Sequence, residues 1–273
     1  MKKVGIMSNL LKDINLEYTK DVMSFLFGRA EIYLDEKTIS ITNDPNIKLL
    51  TPALADELDF IVILGGDGTI LDAFRSLKYT KAPIFGINLG KLGFLTSVEK
   101  YEWNYYLNLA LEGLYNIEKR SLLEMTHSKG TNIALNDVVI FKDNDQDGAI
   151  NLNVYVNNVL LADYDADGII ISTSTGSTAY SLSAGGPIIS PQAEVLLLNP
   201  IRPHTLSNRA IVLAPKEKIN IMIKRGNAIV RCDGKKCLYI TDSLLEFALF
   251  EKKASFISFD NHNFYNKVYT RIR

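Results

Sequence analysis

Five consecutive residues, Gly65-Gly66-Asp67-Gly68-Thr69, combine three glycines with a carboxylate and a hydroxyl. They follow an apolar run, residues 59–64, and precede a segment with helical spacing. Glycines let a backbone approach a phosphate closely, and the free amides at a helix start favour an anion. Asp67 cannot attract phosphate by charge, so it is better suited to accept a proton from a hydroxyl or to hold a divalent metal. The alternative is a tight turn whose aspartate caps the helix.

A second glycine-bearing loop, residues 88–95, follows the next apolar run, residues 84–87. In an open parallel sheet, ligands bind outside the carboxyl ends of the strands. Two such loops at successive strand ends therefore predict one ligand-binding crevice.

A third segment, residues 167–187, runs from an apolar stretch into a loop of small hydroxyl residues and then a predicted short helix, residues 178–184. Its many hydrogen-bonding groups and its one aromatic ring, Tyr180, suit a polar, planar ligand such as a nucleoside. The alternative is a Ser- and Thr-rich surface loop.

Asn136 and Asp137 interrupt an otherwise apolar predicted strand, residues 133–141. An amide and a carboxylate here are able to recognise the edge of an adenine and a ribose hydroxyl. A bulge or a strand end that faces solvent would explain the same two residues.

The first hundred residues alternate between strand-like and helical patterns, which predicts an α/β layer with a parallel sheet. The continuous apolar run at residues 59–64, which ends abruptly in glycines, suits a buried parallel strand. The predicted strands are residues 3–7, 30–34, 59–64 and 84–87, and the predicted helices are residues 15–27, 69–77 and 101–114.

The second half consists mostly of short β-rich segments and predicts a largely antiparallel domain. Asn157-Asn158 and Arg225-Gly226-Asn227 have the composition of hairpin turns. We expect a strand at residues 255–259 to return to the first domain. The other predicted strands are residues 151–156, 169–172, 210–213, 219–223 and 228–232.

The composition is that of a folded protein, with 273 residues, 47% hydrophobic content and a formal net charge of -1. This charge balance argues against a broad nucleic-acid surface.

The sequence has no apolar stretch of the ~20 residues that a membrane-spanning helix needs and no export signal, which predicts a cytoplasmic protein. Cys232 and Cys237 are expected to be ordinary strand residues rather than a disulfide. His127, His204 and His262 are scattered, so no structural metal site is expected.

Taken together, the three motifs resemble those of the NAD kinase family. That family is marked by a Gly-Gly-Asp-Gly loop, an Asn-Glu or Asn-Asp pair and a Thr-Gly-Ser-Thr-Ala-Tyr-Ser segment, which occur here in this order. The resemblance implies a Rossmann-like α/β domain over residues 1–100 and a β-rich, two-sheet domain over residues 101–254, with the active site in the crevice between them. The tail, from about residue 255 to residue 273, would return to the first domain.

The resemblance also implies a reaction: transfer of the γ-phosphate of ATP to the 2′-hydroxyl of the adenosine ribose of NAD, with Asp67 as general base. Mg²⁺ or another divalent metal would accompany ATP, with no fixed metal site in the protein, and polyphosphate is an alternative donor. The implied assembly is a cytoplasmic homodimer or homotetramer, with neither nucleic acid nor a membrane as partner. The implied nucleotide-binding residues are Gly65, Gly66, Gly68, Thr69, Asn136, Asp137, Asp167, Thr178, Ala179, Tyr180, Ser181, Leu182 and Ser183, with Asp165, Phe94 and Lys235 as further candidates.

The sequence departs from the family pattern at three points. Ser174 stands where proline is usual, and Asp137 replaces the commoner glutamate. Tyr164 and Asp165 precede Asp167, where basic residues are frequent, so the cation that would bind phosphate there is not identified.

Two alternatives remain for the function. Diacylglycerol and sphingosine kinases and phosphofructokinases have similar glycine loops but lack the Thr-Gly-Ser-Thr-Ala-Tyr-Ser-Leu-Ser segment. A non-catalytic NADP-binding sensor is the other, and the intact Asp67 argues against it. The choice between NAD and NADH and inhibition by NADP stay open.

Overall fold

The computed structural model describes residues 1–91, 93–143, 147–204, 208–260 and 264–272. Leu92, in the second glycine-bearing loop, and His262 lie outside these residues. The chain separates into two compact units. The first comprises Met1–Lys119 and Ala254–Arg273, and the second comprises Arg120–Lys253.

The described residues form short helices and many strands. The helices are α1 (Glu17–Leu26), α2 (Asp67–Ser76), α3 (Trp103–Glu112), α4 (Tyr180–Ser183) and α5 (Phe264–Ile272). The strands are β1 (Lys2–Ser8), β2 (Ala30–Leu34), β3 (Lys48–Leu49), β4 (Phe60–Gly65), β5 (Ile84–Asn88), β6 (Val98–Glu99), β7 (Asn116–His127), β8 (Gly130–Ala134), β9 (Asp137–Lys142), β10 (Ile150–Val156), β11 (Val159–Ala166), β12 (Gly168–Thr173), β13 (Leu196–Ile201), β14 (Ile211–Leu213), β15 (Ile219–Arg225), β16 (Asn227–Cys232), β17 (Lys235–Thr241) and β18 (Leu244–Ser258).

The first unit is built on a parallel sheet in the order β5-β4-β1-β2-β3. The final part of β18 joins β5 in parallel through Phe256, which lies opposite Ile84. Every residue of β4 is buried, which explains its continuous apolar run. The predicted α/β architecture of this part of the chain is confirmed.

Helix α2 begins at Asp67, two residues before the predicted start. Gly66 is the extended residue before the helix, and its N–H donates to Thr69 Oγ1 at 3.3 Å. Asp67 is therefore in the first helical turn, where the helix dipole stabilises a negative charge.

The second unit consists of two antiparallel sheets, which confirms the predicted β-rich architecture. One has the order β14-β13-β12-β9-β16-β17, and the other contains β11, β10, β15 and the start of β18. Residues from both sheets share one apolar cluster, among them Ile140 and Ile171 from the first and Leu152 and Ile221 from the second.

Two local predictions in this unit have different outcomes. Asn157-Asn158 forms the turn of the β10–β11 hairpin, with φ values of 49° and 67°, so that prediction is confirmed. The hairpin predicted at Arg225-Gly226-Asn227 is wrong, because β15 pairs with β10 and β18 whereas β16 pairs with β9 and β17. The chain changes sheets there, at a glycine with φ of 97°.

The strand predicted over residues 133–141 is interrupted. Strand β8 ends at Ala134 and β9 begins at Asp137, so Asn136 lies between two strands. Among the described residues, no helix combines the length and the apolar character that crossing a membrane requires.

Candidate functional site

The loop between β4 and α2 is shaped by its glycines. A Cβ on Gly65 would lie 2.2 Å from Thr69 Oγ1, so a side chain does not fit there. A Cβ on Gly68 would meet no atom within 4 Å, and this residue is exposed. The fold itself therefore does not require glycine at position 68, and its backbone is open to a ligand.

The Asp67 carboxylate is held by backbone amides of the second glycine-bearing loop. Phe94 N–H donates to Oδ2 at 2.8 Å, and Leu95 N–H donates to Oδ1 at 3.0 Å. Asp67 is only partly buried, and each carboxylate oxygen can accept a further hydrogen bond. The carboxylate is thus fixed in orientation and still able to accept a proton.

The two glycine-bearing loops contact each other, as expected for loops at neighbouring strand ends. Leu89 N–H donates to Gly65 O at 2.8 Å. The buried Asn88 shapes the second loop, since its Nδ2 donates to Gly90 O at 3.1 Å and to Glu99 Oε2 at 3.0 Å. These contacts fix the strand-end geometry beside Asp67.

Lys12, which is not among the predicted site residues, places a cation next to both loops. Its Nζ lies 3.0 Å from the position a Cβ on Gly66 would take and 3.1 Å from the equivalent position on Gly90. Asn9, in the same turn, donates to Thr69 Oγ1 at 3.1 Å. No motif marks either residue, because their position depends on how the turn after β1 packs against the glycine loop.

A cavity of about 620 Å³ opens beside the glycine loop. Asn9, Thr69 and Asp72 line it together with Asp35, whose pKa is raised by burial. Its volume is within the range of sites for small molecules.

In the second unit, Asp137 is buried, with 4% of its surface exposed. Desolvation, together with the charge of the nearby Asp233, raises the pKa of Asp137 to about 7, against the effect of a hydrogen bond from the Tyr180 N–H. Asp137 is therefore at a strand start but does not face solvent.

The carboxylate of Asp233 organises the backbone of this polar pair. It accepts hydrogen bonds from the N–H groups of Leu135 at 2.9 Å, Asn136 at 2.7 Å and Asp137 at 3.2 Å. Asp233 and Gly234 have positive φ values, 46° and 75°, and form the turn between β16 and β17. The Asp-Gly dipeptide is a turn signal, but its contact with residues 135–137 is not visible in the sequence.

The hydroxyl-rich loop lies directly against the backbone beside the Asn136–Asp137 pair. A Cβ on Gly176 would lie 2.0 Å from Asn136 O. Thr173 Oγ1 donates to Leu135 O at 2.7 Å, and Ser172 Oγ donates to Asn136 O at 3.1 Å. Several of the hydroxyls thus hold the loop together rather than face a ligand.

Other groups of this loop remain available to a ligand. Tyr180 and Leu182 are 45% and 38% exposed, and Ser183 is also exposed. Ser174 Oγ and Thr175 Oγ1 are buried and have no hydrogen-bond partner within the described part of the chain. A buried hydroxyl without a partner is unfavourable unless a water or a ligand supplies one.

The remaining predicted residues of the loop have structural contacts. Thr178 Oγ1 donates to Thr175 O at 3.1 Å, and Ala179 N–H donates to Gly176 O at 2.9 Å. Ser181 is buried, and its Oγ accepts from Asn199 Nδ2 at 3.3 Å.

Asp167 and Asp165 each lie beside basic side chains. Asp167 pairs with Lys142 at 3.0 Å and with Arg202 at 3.6 Å. Asp165 pairs with Arg225 at 2.8 Å. The cations near Asp167 therefore come from other strands and loops rather than from its sequence neighbours.

The hairpin β16–β17 carries both cysteines and Lys235. Cys232 and Cys237 are thiols rather than a disulfide, with 2.9 Å between their Sγ atoms. The hydrogen bond with Cys232 lowers the pKa of Cys237. Lys235 is exposed at the start of β17.

Acidic, histidine and cysteine side chains do not form a cluster of three or more suited to a metal ion anywhere in the described residues.

The parallel α/β unit carries a glycine loop with a fixed carboxylate at a helix start, and the β unit presents a hydroxyl-rich loop. These features define a nucleotide-binding phosphotransferase.

Two family models match the chain: "ATP-NAD kinase N-terminal domain" over residues 4–115 and "ATP-NAD kinase C-terminal domain" over residues 135–258. The chain belongs to the NAD kinase family. It is therefore an enzyme that transfers phosphate to an alcohol group, and the lipid-kinase, sugar-kinase and sensor alternatives are not favoured.

Relatives and solved structures agree with this assignment. The NAD kinase of Thermoanaerobacter sp. (strain X514) is 43% identical, with 86% of each chain covered. The NAD kinase of Clostridium kluyveri (strain ATCC 8527) is 37% identical, with 97% of this chain and 93% of the relative covered. An Archaeoglobus fulgidus NAD kinase in complex with ATP has a TM-score of 0.77 at 27% identity, covering 99% of this chain and 98% of that one. Yeast NADH kinase complexed with NADH has a TM-score of 0.91 at 23% identity, covering 100% and 87%, and shows the shared fold.

Proposed function

We propose that this protein transfers the γ-phosphate of ATP to the 2′-hydroxyl of the adenosine ribose of NAD, giving NADP. The observation that carries the proposal is the Asp67 carboxylate, held by the Phe94 and Leu95 amides at the start of α2. A carboxylate that is fixed in orientation and partly exposed suits a general base for a hydroxyl. The names of the two bacterial relatives support NAD as the acceptor, and the ATP complex of the archaeal enzyme supports ATP as the donor.

The donor phosphates are proposed to bind at the glycine loop. The N–H of Gly68 in the first turn of α2 and the dipole of this helix favour an anion there, whereas the N–H groups of Gly66 and Thr69 already donate to Thr69 Oγ1 and to Gly66 O within the loop. Lys12 adds a positive charge beside the same loop. Mg²⁺ or another divalent ion would enter with ATP and neutralise phosphate charge, and polyphosphate would have to satisfy the same groups if it replaced ATP.

The dinucleotide is proposed to bind to residues of the second unit. Because the pKa of Asp137 is about 7, its carboxyl can donate or accept a hydrogen bond near neutral pH. The exposed ring of Tyr180 offers a stacking surface. Asn136, Asp167, Thr178, Ala179, Ser181, Leu182 and Ser183 complete the proposed set, with Asp165 and Lys235 at its margin.

A cytoplasmic location and a homodimer or homotetramer are proposed as well, without a nucleic-acid or membrane partner. Light scattering on the purified protein would measure the number of subunits. A monomer at working concentration would contradict the proposed assembly.

The decisive experiment is a turnover assay with NAD, ATP and Mg²⁺, in which NADP is detected by an NADP-specific dehydrogenase. Wild-type protein should produce NADP, and Asp67→Asn should lower kcat by about 10²-fold or more. Folded wild-type protein that makes no NADP from either ATP or polyphosphate would refute the proposed reaction. Near-normal kcat in Asp67→Asn would refute the role of Asp67 alone.

A further inference from the structure

Helix α5, near the end of the chain, contacts the segment that orients Asp67. Lys267 Nζ donates to Thr96 O at 2.6 Å and to Phe94 O at 3.3 Å. Only 8% of Lys267 is exposed. Because a buried ammonium is costly unless it is hydrogen-bonded, these carbonyls are an essential part of its environment.

A single peptide group joins Lys267 to Asp67. Its oxygen belongs to Phe94 and accepts from Lys267, whereas its N–H belongs to Leu95 and donates to Asp67 Oδ1 at 3.0 Å. An ammonium and a carboxylate therefore lie at opposite ends of one peptide dipole. Hydrogen bonds in such a chain polarise and strengthen one another.

The surrounding contacts fix the same segment. The rings of Phe94 and Phe264 lie 5.9 Å apart, so α5 also packs against the segment through its first residue. Thr96 is buried, and Ser97 N–H donates to Gly86 O at 2.7 Å. An apolar side chain would be sufficient to dock the helix, since buried charges are often replaceable by apolar groups without loss of stability.

We propose that Lys267 is a positioning residue for the phosphoryl transfer. Through the peptide group between Phe94 and Leu95, its charge holds the Asp67 carboxylate in the orientation in which it accepts the hydroxyl proton. This inference rests on the proposed role of Asp67 as the base.

The test compares Lys267→Met, which removes the charge, with Lys267→Arg, which keeps it, and with Lys81→Met at an exposed lysine. Lys267→Met should lower kcat by about tenfold or more, as expected for a displaced catalytic group. The KM values for NAD and ATP should change by less than about twofold, since the lost interaction acts in the transition state. Lys267→Arg should restore most of kcat, and Lys81→Met should match wild type.

A double-mutant cycle separates positioning from general stability. In the Asp67→Asn background, Lys267→Met should cause no further loss of kcat, because the carboxylate that it positions is gone. Hydrogen exchange should be faster at the amides of Phe94 and Leu95 in Lys267→Met than in wild type.

The possible failures are distinguishable. Folded wild-type protein that makes no NADP would remove the proposed function itself, whereas near-normal kcat in Asp67→Asn would remove only the role of Asp67 on which this inference rests. If Asp67→Asn has a large effect, two results would overturn the inference about Lys267. One is that Lys267→Met lowers kcat by the same factor in the wild-type and Asp67→Asn backgrounds, and the other is that it does not lower kcat at all. If Lys267→Met does not fold, Lys267→Gln keeps an N–H donor without the charge, and equal kcat in Lys267→Gln and Lys267→Arg would overturn it as well.

Discussion

The carboxylate of Asp67 occupies the space that a side chain on Gly93 would need: an ideal Cβ on residue 93 would lie 1.9 Å from Asp67 Oδ1. The glycine is in one loop and the aspartate is in the other. Glycine at position 93 is therefore explained by the carboxylate, which the amides of the next two residues then hold.

Gly93→Ala should displace the Asp67 carboxylate and destabilise the protein. The overpacking cost is expected to be about 1–3 kcal/mol, measured by denaturant unfolding. In an Asp67→Ala background the clash is absent, so the same substitution should cost much less. Equal costs in the two backgrounds would show that Gly93 is required for another reason.

Asp233→Ala should weaken NAD binding more than it slows the chemical step. It removes the acceptor for the N–H groups of Leu135, Asn136 and Asp137, and each unsatisfied buried donor costs about 1–3 kcal/mol. Steady-state kinetics should give a KM for NAD raised by about tenfold or more, with a smaller change in the KM for ATP. Lys236→Ala in the same hairpin is the matched control, and an unchanged KM for NAD in Asp233→Ala would contradict the prediction.

The buried Asp137 should make stability depend on pH. Its pKa is raised from 3.8 to about 7 in the folded protein, so between these values the folded state holds a proton that the unfolded state has lost. The free energy of unfolding of wild type should therefore fall relative to Asp137→Asn as pH rises from about 4 to about 7, and the difference should level off above that. Urea titrations across this range measure it, and parallel curves for the two proteins would exclude a raised pKa.

Cys237 should be the more reactive of the two thiols. Because its pKa is lowered by the hydrogen bond with Cys232, iodoacetamide should label it first at neutral pH. Diamide should oxidise the two neighbouring thiols to a disulfide and be reduced to the hydrazine, with loss of about 2 Da from the protein mass. Cys232→Ser should abolish the disulfide, and preferential labelling of Cys232 in wild type would contradict the assignment.

Local patterns in the sequence determined much of the architecture. Continuous apolar runs placed β4 and β5, because a strand buried on both faces must be apolar throughout. Asn157-Asn158 marked a hairpin, because both residues tolerate positive φ. The glycine loop with Asp67 and the hydroxyl-rich loop stood out as candidate sites for the same reason: their residue types are unusual for the structure around them.

The partners of those local features were decided only in the folded chain. Asp233 lies 97 residues from Asn136, and Lys267 lies 171 residues from Thr96. The change of sheet at Gly226 likewise depends on which strands pair. The composition of the turn does not distinguish a change of sheet from a hairpin. Periodicity and turn chemistry report on neighbours along the chain, whereas hydrogen bonds and close contacts between distant segments exist only once the apolar cores of the two units have formed.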